Sequence, residues 1–161
     1  MTAVAGVSPD PALVGKRFLE AMITGDHDGL DALCAPDFRM WGAGHLTVSG
    51  WKDRETFLGR LRAFGGGRSS TFSNRVRLDL GEVTAQDDRV AIEAEIHAPL
   101  VAAGEYNNQF HFLLRVRDGL VVEAKEYMDT HHVCELIPGA RPAVGPRPSN
   151  LTEVTGTYWS T

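Results

Sequence analysis

One stretch restricts this chain more than any other: Gly104 to His132, GEYNNQFHFLLRVRDGLVVEAKEYMDTHH. Two long alternating runs flank Asp118-Gly119, a dipeptide suited to a two-residue type I′ turn, so the stretch is a β-hairpin. Period two sorts the second run into Val122, Ala124, Glu126 and Met128 on one face and Val121, Glu123, Lys125, Tyr127 and Asp129 on the other. The first of these faces is apolar except for Glu126. Desolvation disfavours an ionised carboxylate and raises its pKa, so Glu126 is the first candidate for acid–base chemistry.

The rest of the chain supplies the walls. Asp10-Pro11 starts a helix, with Val14, Phe18, Ala21 and Met22 at helical spacing and Gly25 at its end. A short helix capped by Asp28 buries Leu30 and Leu33, and Pro36 stops it. Phe38 to Trp41 reads as a short strand, followed by a loop through Gly42, Gly44 and Gly50. Trp51 to Phe64 reads as a third helix, with Phe57, Leu61 and Phe64 on one stripe and Gly65-Gly66-Gly67 ending it. Thr71 to Leu80 and Arg89 to Ala98 are strands, and the hairpin adds two more. The expected fold is α+β: a cone-shaped barrel of curved antiparallel sheet wrapped around N-terminal helices, with an interior suited to a small molecule. Its expected limits are an N-terminal arm over 1–9, the cone over 10–137 and an extended proline-rich tail over 138–161. The terminal Val154 to Trp159 is apolar enough to dock on the body or on a partner.

Several functions fit poorly. At 161 residues with 43% hydrophobic and 23% charged residues, the chain suits one globular domain. The net charge of −5 leaves no basic stripe for phosphates, and Arg60, Arg62 and Arg68 read as a solvated helix face. No run is long and apolar enough for a membrane span, and MTAVAGVSPDP lacks a secretory pattern, so the expected location is cytoplasmic. Cys34 and Cys134 read as reduced thiols. Asp129, His131 and His132 have no third partner at metal-ligand spacing and read as an exposed strand end. No metal or cofactor is expected.

Three segments carry a family resemblance: Gly25-Asp26-His27-Asp28-Gly29-Leu30 leading to Ala35-Pro36-Asp37, then Ser49-Gly50-Trp51, then the hairpin ending in Glu126-Tyr127-Met128-Asp129-Thr130. From about Pro11 to Val133 the chain resembles the nuclear-transport-factor-2-like superfamily, which includes ketosteroid isomerases, limonene-epoxide hydrolases and SnoaL-like polyketide cyclases. The isomerase tyrosine and two aspartates fall on Phe18, Gly42 and Phe112, so that mechanism is not implied. The hydrolase aspartates fall on Glu126 and Glu95, its arginine on Glu93, and its Tyr and Asn on Met40 and Gly42. The cyclase "EHWD" segment matches Glu123-Ala124-Lys125-Glu126, with its helper histidine on Phe112. The resemblance implies a homodimer and an apolar small-molecule substrate. The expectation is an acid–base enzyme of cyclase, isomerase or epoxide-hydrolase type without metal or cofactor, with a non-catalytic small-molecule-binding or dimeric assembly module as the alternative.

The candidate catalytic residues are therefore Glu126, Glu95 and His97. Glu95 and His97 share the polar side of their strand, opposite Val90, Ile92, Ala94, Ile96 and Ala98, and reach a pocket only if that side is covered. Candidate substrate-binding residues are Asn108, Tyr106, Met40, Phe18, Phe112 and Met128. Asn108 interrupts an apolar strand face as Glu126 does, which makes the two candidate hydrogen-bonding neighbours.

Overall fold

A computed structural model of the chain describes residues 9–65, 76–101, 104–137, 139–147 and 149–157. Local signals set the first elements. Helix α1 (Pro11–Thr24) begins where Asp10 accepts from the Ala12 amide at 3.0 Å, and ends at Gly25 in the left-handed conformation. That glycine turns the chain directly into α2 (His27–Leu33). Its cap is therefore Asp26 rather than Asp28, with the Gly29 amide donating to Asp26 at 3.0 Å.

Strand β1 (Cys34–Gly42) starts earlier than the apolar run Phe38 to Trp41, and Pro36 sits where its pairing is irregular. Strand β2 (Gly50–Asp53) takes the residues expected to open the third helix, because Trp51 and Lys52 pair with Trp41 and Met40. Helix α3 (Arg54–Gly65) follows. Strand β3 (Arg77–Gln86) runs past the expected end at Leu80, through a bulge at Gly81-Glu82. Residues 71–75 of that expected strand, with Arg68, Gly66 and Gly67, lie outside the described residues. Then come β4 (Arg89–Pro99), β5 (Glu105–Arg117) and β6 (Leu120–Met128). The β5–β6 turn has Asp118 at φ 53° and Gly119 at φ 77°, both positive as a type I′ turn requires. A helix the sequence did not announce, α4 (Thr130–Leu136), is capped by Asp129, which accepts from the His131 and His132 amides. The expected exposed strand end is thus a helix start.

The six strands lie in the order β2-β1-β6-β5-β4-β3. The fold is α+β as expected, but the sheet is mixed and unclosed, since β1 and β6 run parallel. Its inner face packs on the helices. Val90, Ile92, Phe112 and Leu114 are at most 1% exposed there, beneath Phe18 and Leu19 of α1, both fully enclosed. Phe18 stacks on Phe57 and tilts against Phe38.

The hairpin contains one departure from strict alternation. Val116 pairs with Val121 and Arg115 with Glu123, so Val122 is an extra residue. The bulge puts Val121, fully buried, on the inner side with Ala124 and Glu126, where alternation alone had placed Val122.

The tail is extended but docked. Pro142 bridges to Leu46, the Thr47 amide donates to Arg141 and the Ala143 amide to His45. Farther on it crosses the outer sheet face. The Trp51 indole donates to the Ser149 carbonyl at 3.0 Å, Asn150 to the Tyr127 hydroxyl at 3.1 Å, and the Thr152 hydroxyl to Glu123 at 2.7 Å. Residues 158–161 of the apolar terminus lie outside the described residues.

Helix α1 meets the sheet most closely at Gly15, where an added Cβ would lie 3.0 Å from Leu114, 3.2 Å from Ile92 and 3.3 Å from Val90. Gly15→Val should force the helix off the sheet and destabilise the protein by roughly 1–3 kcal/mol, read as a lower denaturant midpoint at unchanged m-value.

Candidate active site

Glu126 lies on the inner face between Phe112 of β5 and Gly42 of β1. These are the two positions where the resemblance expected aspartates. Phe112 closes one side with an aromatic wall; Gly42 leaves the other without a side chain. Burial pushes the Glu126 carboxyl up to about 7, with the Lys52 ammonium pulling the other way. Among the described residues no side chain hydrogen-bonds that carboxyl. It is therefore free to give and take a proton near neutrality.

Lys52 is the residue that the sequence reading missed. It pairs with Met40, a buried inner-face residue, so its stem also points inward. Its Nζ donates to the Gly50 carbonyl at 3.0 Å and arches over Gly42, 3.6 Å from where a Cβ would be. Burial holds its pKa below the ordinary lysine value, with help from Arg60 and against the pull of Glu126. Reading residues 51–64 as one helix gave Lys52 no place in the sheet.

The other candidates separate. Asn108 is buried, but it does not reach Glu126: its amide donates to the Tyr106 hydroxyl at 2.9 Å and to the Asp129 carbonyl at 3.0 Å, and its oxygen accepts from the Asp129 amide at 3.0 Å. One donor and the acceptor tie β5 to Asp129 at the start of α4, and the other donor holds Tyr106 on the same strand. Tyr106 is held by that bond, stacks on His132, and has its phenol pushed up to about 12 by burial, so it stays protonated. Its charge environment includes Glu126 and Asp129. Phe18 and Phe112 have no accessible surface, so in this structure they are packing rather than ligand wall. Met40 is buried beside Lys52, and Met128 is half-buried two residues beyond Glu126.

Glu95 and His97 lie on the outer face, with the sheet between them and Glu126. His97 is flanked there by Asp79 at 3.5 Å, Glu95 at 3.4 Å and Glu105 at 3.5 Å. An open groove of about 480 Å³ on this side is lined by Glu93, Glu95, Gln109, His111, Tyr127 and Met128. Toward β1 the same face is consumed by structure. Glu123 is buried, which opposes its ionisation, yet hydrogen bonds from Thr152 and Arg39 hold its pKa below the usual value. Lys125 lies 3.5 Å from Glu123 and over the Trp51 ring. The buried Cys34 thiol is pushed up to about 12 by desolvation, which removes it as a nucleophile.

The SnoaL-like domain family matches residues 16–124, about two thirds of the chain. The chain belongs to that family. Solved structures similar to this SnoaL-like chain agree on the fold. An NTF2-like protein of unknown function from Burkholderia pseudomallei shares 19% identity at TM-score 0.66, covering 80% of this chain and 97% of that one. IdmH, described as a putative polyketide cyclase from Streptomyces antibioticus, shares 19% at TM-score 0.63, covering 80% and 98%. TerC, co-crystallised with polyporic acid, shares 19% at TM-score 0.65, again covering 80% and 98%. Identities this low establish architecture and leave chemistry open. No protein of curated function matches significantly. Among the described residues no helix is long and apolar enough to cross a membrane.

A carboxyl whose pKa is raised by folding binds its proton more tightly in the folded state, so its burial costs stability as pH rises from about 4.5 toward about 7. Glu126→Gln removes that cost. The variant should be more stable than the parent at pH 8, by at most ~3 kcal/mol, and nearly equal to it at pH 4. Equal slopes of stability against pH from 5 to 7 in the two proteins would contradict the desolvated carboxyl. Asn108→Ala should instead cost roughly 2–4 kcal/mol at every pH, because it orphans the Asp129 amide and carbonyl.

Proposed function

We propose that this SnoaL-like protein is a cofactor-independent acid–base enzyme acting on a mostly apolar small molecule that carries a carbonyl or an epoxide. Glu126 is the proton-transferring group. The observation that carries this reading is a carboxyl on the interior face of a strand, without a hydrogen-bonding side chain among the described residues and with a pKa near neutrality. A structural carboxylate of that depth is ordinarily tied by hydrogen bonds, as Glu123 is on the opposite face. Lys52, two strands away and on the same side, supplies positive charge for an enolate or alkoxide as it forms. The description of one neighbour as a putative polyketide cyclase and the capture of another with polyporic acid support an oxygenated small molecule as the substrate class.

The competing reading is a binding or assembly module. The open groove beside Glu95 and His111 favours it, since a second copy covering that face would form a homodimer without calling on Glu126.

A panel of polyketide-type ketones and epoxides, scored first for binding by thermal shift and then for turnover, separates the two. For any compound turned over, Glu126→Gln should lower kcat by roughly 10²–10⁴-fold while leaving affinity within a few-fold of the parent. A ligand bound equally by both proteins and altered by neither identifies a binding module.

A further inference from the structure

The chain has three lysines, Lys16, Lys52 and Lys125, and they occupy three different settings. Lys16 stands exposed on α1. Lys125 lies on the outer sheet face, neutralised by Glu123 and laid over Trp51. Lys52 alone points to the inner face. It has no ion-pair partner among the described residues, and its amine is held by the Gly50 carbonyl above the side-chain gap at Gly42. Gly42 is the register neighbour of Glu126. The amine and the carboxyl influence each other electrostatically without closing an ion pair, which leaves both available to a third group placed over Gly42.

We propose that Lys52 is a nucleophile that condenses with a ketone or aldehyde carbonyl of the substrate, with Glu126 moving the protons of the condensation. Two features that activate a lysine amine meet here: it is partly withdrawn from water, and a second cation, Arg60, lies close enough to oppose its protonation. The step balances as follows. The neutral Nζ attacks the carbonyl carbon, and one amine proton passes to the new alkoxide by way of the Glu126 carboxylate. Glu126, reprotonated by a proton from solvent, then delivers that proton to the carbinolamine hydroxyl, which leaves as water while the cationic C=N bond forms. No electrons enter or leave, and hydrolysis reverses each bond change. The iminium so formed acidifies the adjacent C–H, and the Glu126 carboxylate is placed to remove that proton. The substrate class narrows from carbonyl-or-epoxide to carbonyl, and the proton-shuttling half of the proposal rests on the acid–base reading of Glu126.

The test uses acetylacetone, a β-diketone that forms a near-ultraviolet-absorbing enaminone with a lysine amine, on the full chain at pH 7. Peptide mass mapping then reports which lysine gains the diketone less one water. Lys52 should be labelled at least roughly tenfold faster than the exposed Lys16, since each unit of lowered pKa raises the neutral amine about tenfold. The fast phase of the absorbance rise should be lost in Lys52→Arg, which keeps the charge but does not condense, leaving only the slow labelling of exposed amines. In Glu126→Gln labelling of Lys52 should slow by roughly tenfold or more. Labelling of Lys52 no faster than Lys16 in the unmodified protein overturns the proposal, even if Glu126→Gln has abolished turnover of a true substrate. Fast labelling that Glu126→Gln leaves unchanged supports the amine and overturns the shuttle. The unmodified chain decides the main point, so a variant that folds poorly does not obscure it.

Discussion

The parallel pairing of β1 with β6 is the contact on which the site depends. Every other strand pair in the sheet is antiparallel, and β3 to β6 follow one another through adjacent connections. The β1–β6 seam joins the N-terminal third of the chain to the end of the hairpin, across a long sequence separation. It alone brings Gly42 level with Glu126, and through β2 it brings Lys52 to the same side. Helix α1 packs on Val90, Ile92 and Leu114 of β4 and β5 at Gly15, and its Phe18 reaches Phe38 of β1. The proposed site lies at the rim of that cover, where burial is deep enough to shift a carboxyl and Gly42 leaves a gap beside it.

The sheet treats charge in opposite ways on its two faces. Outside, Glu123, Lys125, Arg39 and Thr152 satisfy one another, and Trp51 lies beneath both cations. Pairing of this kind keeps the carboxylate ionised and inert. Inside, Glu126 has burial without an ion pair or hydrogen-bonding side chain among the described residues, which is what moves a carboxyl toward neutrality. Two glutamates three residues apart on one strand thus have opposite characters, set by what each face offers them. Asn108 follows the first pattern although it lies on the second face: its polar capacity is spent on Tyr106 and on the backbone of Asp129, so it fixes geometry at the strand's end.

Much of this was readable from residue order. The hairpin, the Asp10-Pro11 start and Gly25 stop of α1, and the inner faces of β4 and β5 follow from alternation and capping, which are local. Glu126 was readable because a carboxylate on an apolar strand face departs from its surroundings. Its partner was hidden for the complementary reason. Lys52 sits in a four-residue strand whose only warrant is pairing with β1, and Gly-Trp-Lys-Asp preceding a helical stripe looks like the stripe's beginning. Likewise α4 is too short for its periodicity to show, and it is announced only by the Asp129 cap. The resemblance pointed to these strand positions and left open what fills them. Gly42 replaces an expected acid with a vacancy, and a cation from the neighbouring strand takes the space above it.

Val122 has a meaning beyond its place in the ladder. Side chains along a strand alternate, so one inserted residue exchanges the faces of everything on one side of it. With Val121 fixed in the core, an unbulged β6 would turn Glu123, Lys125 and Tyr127 inward and send Glu126 out to the face where the tail now lies. Pairing this same sequence without the bulge would convert a chain that offers a lone acid to its interior into one that offers a lysine and a tyrosine. On this scaffold the presence of a bulge in β6 thus bears on chemistry as directly as the identity of any residue beyond it.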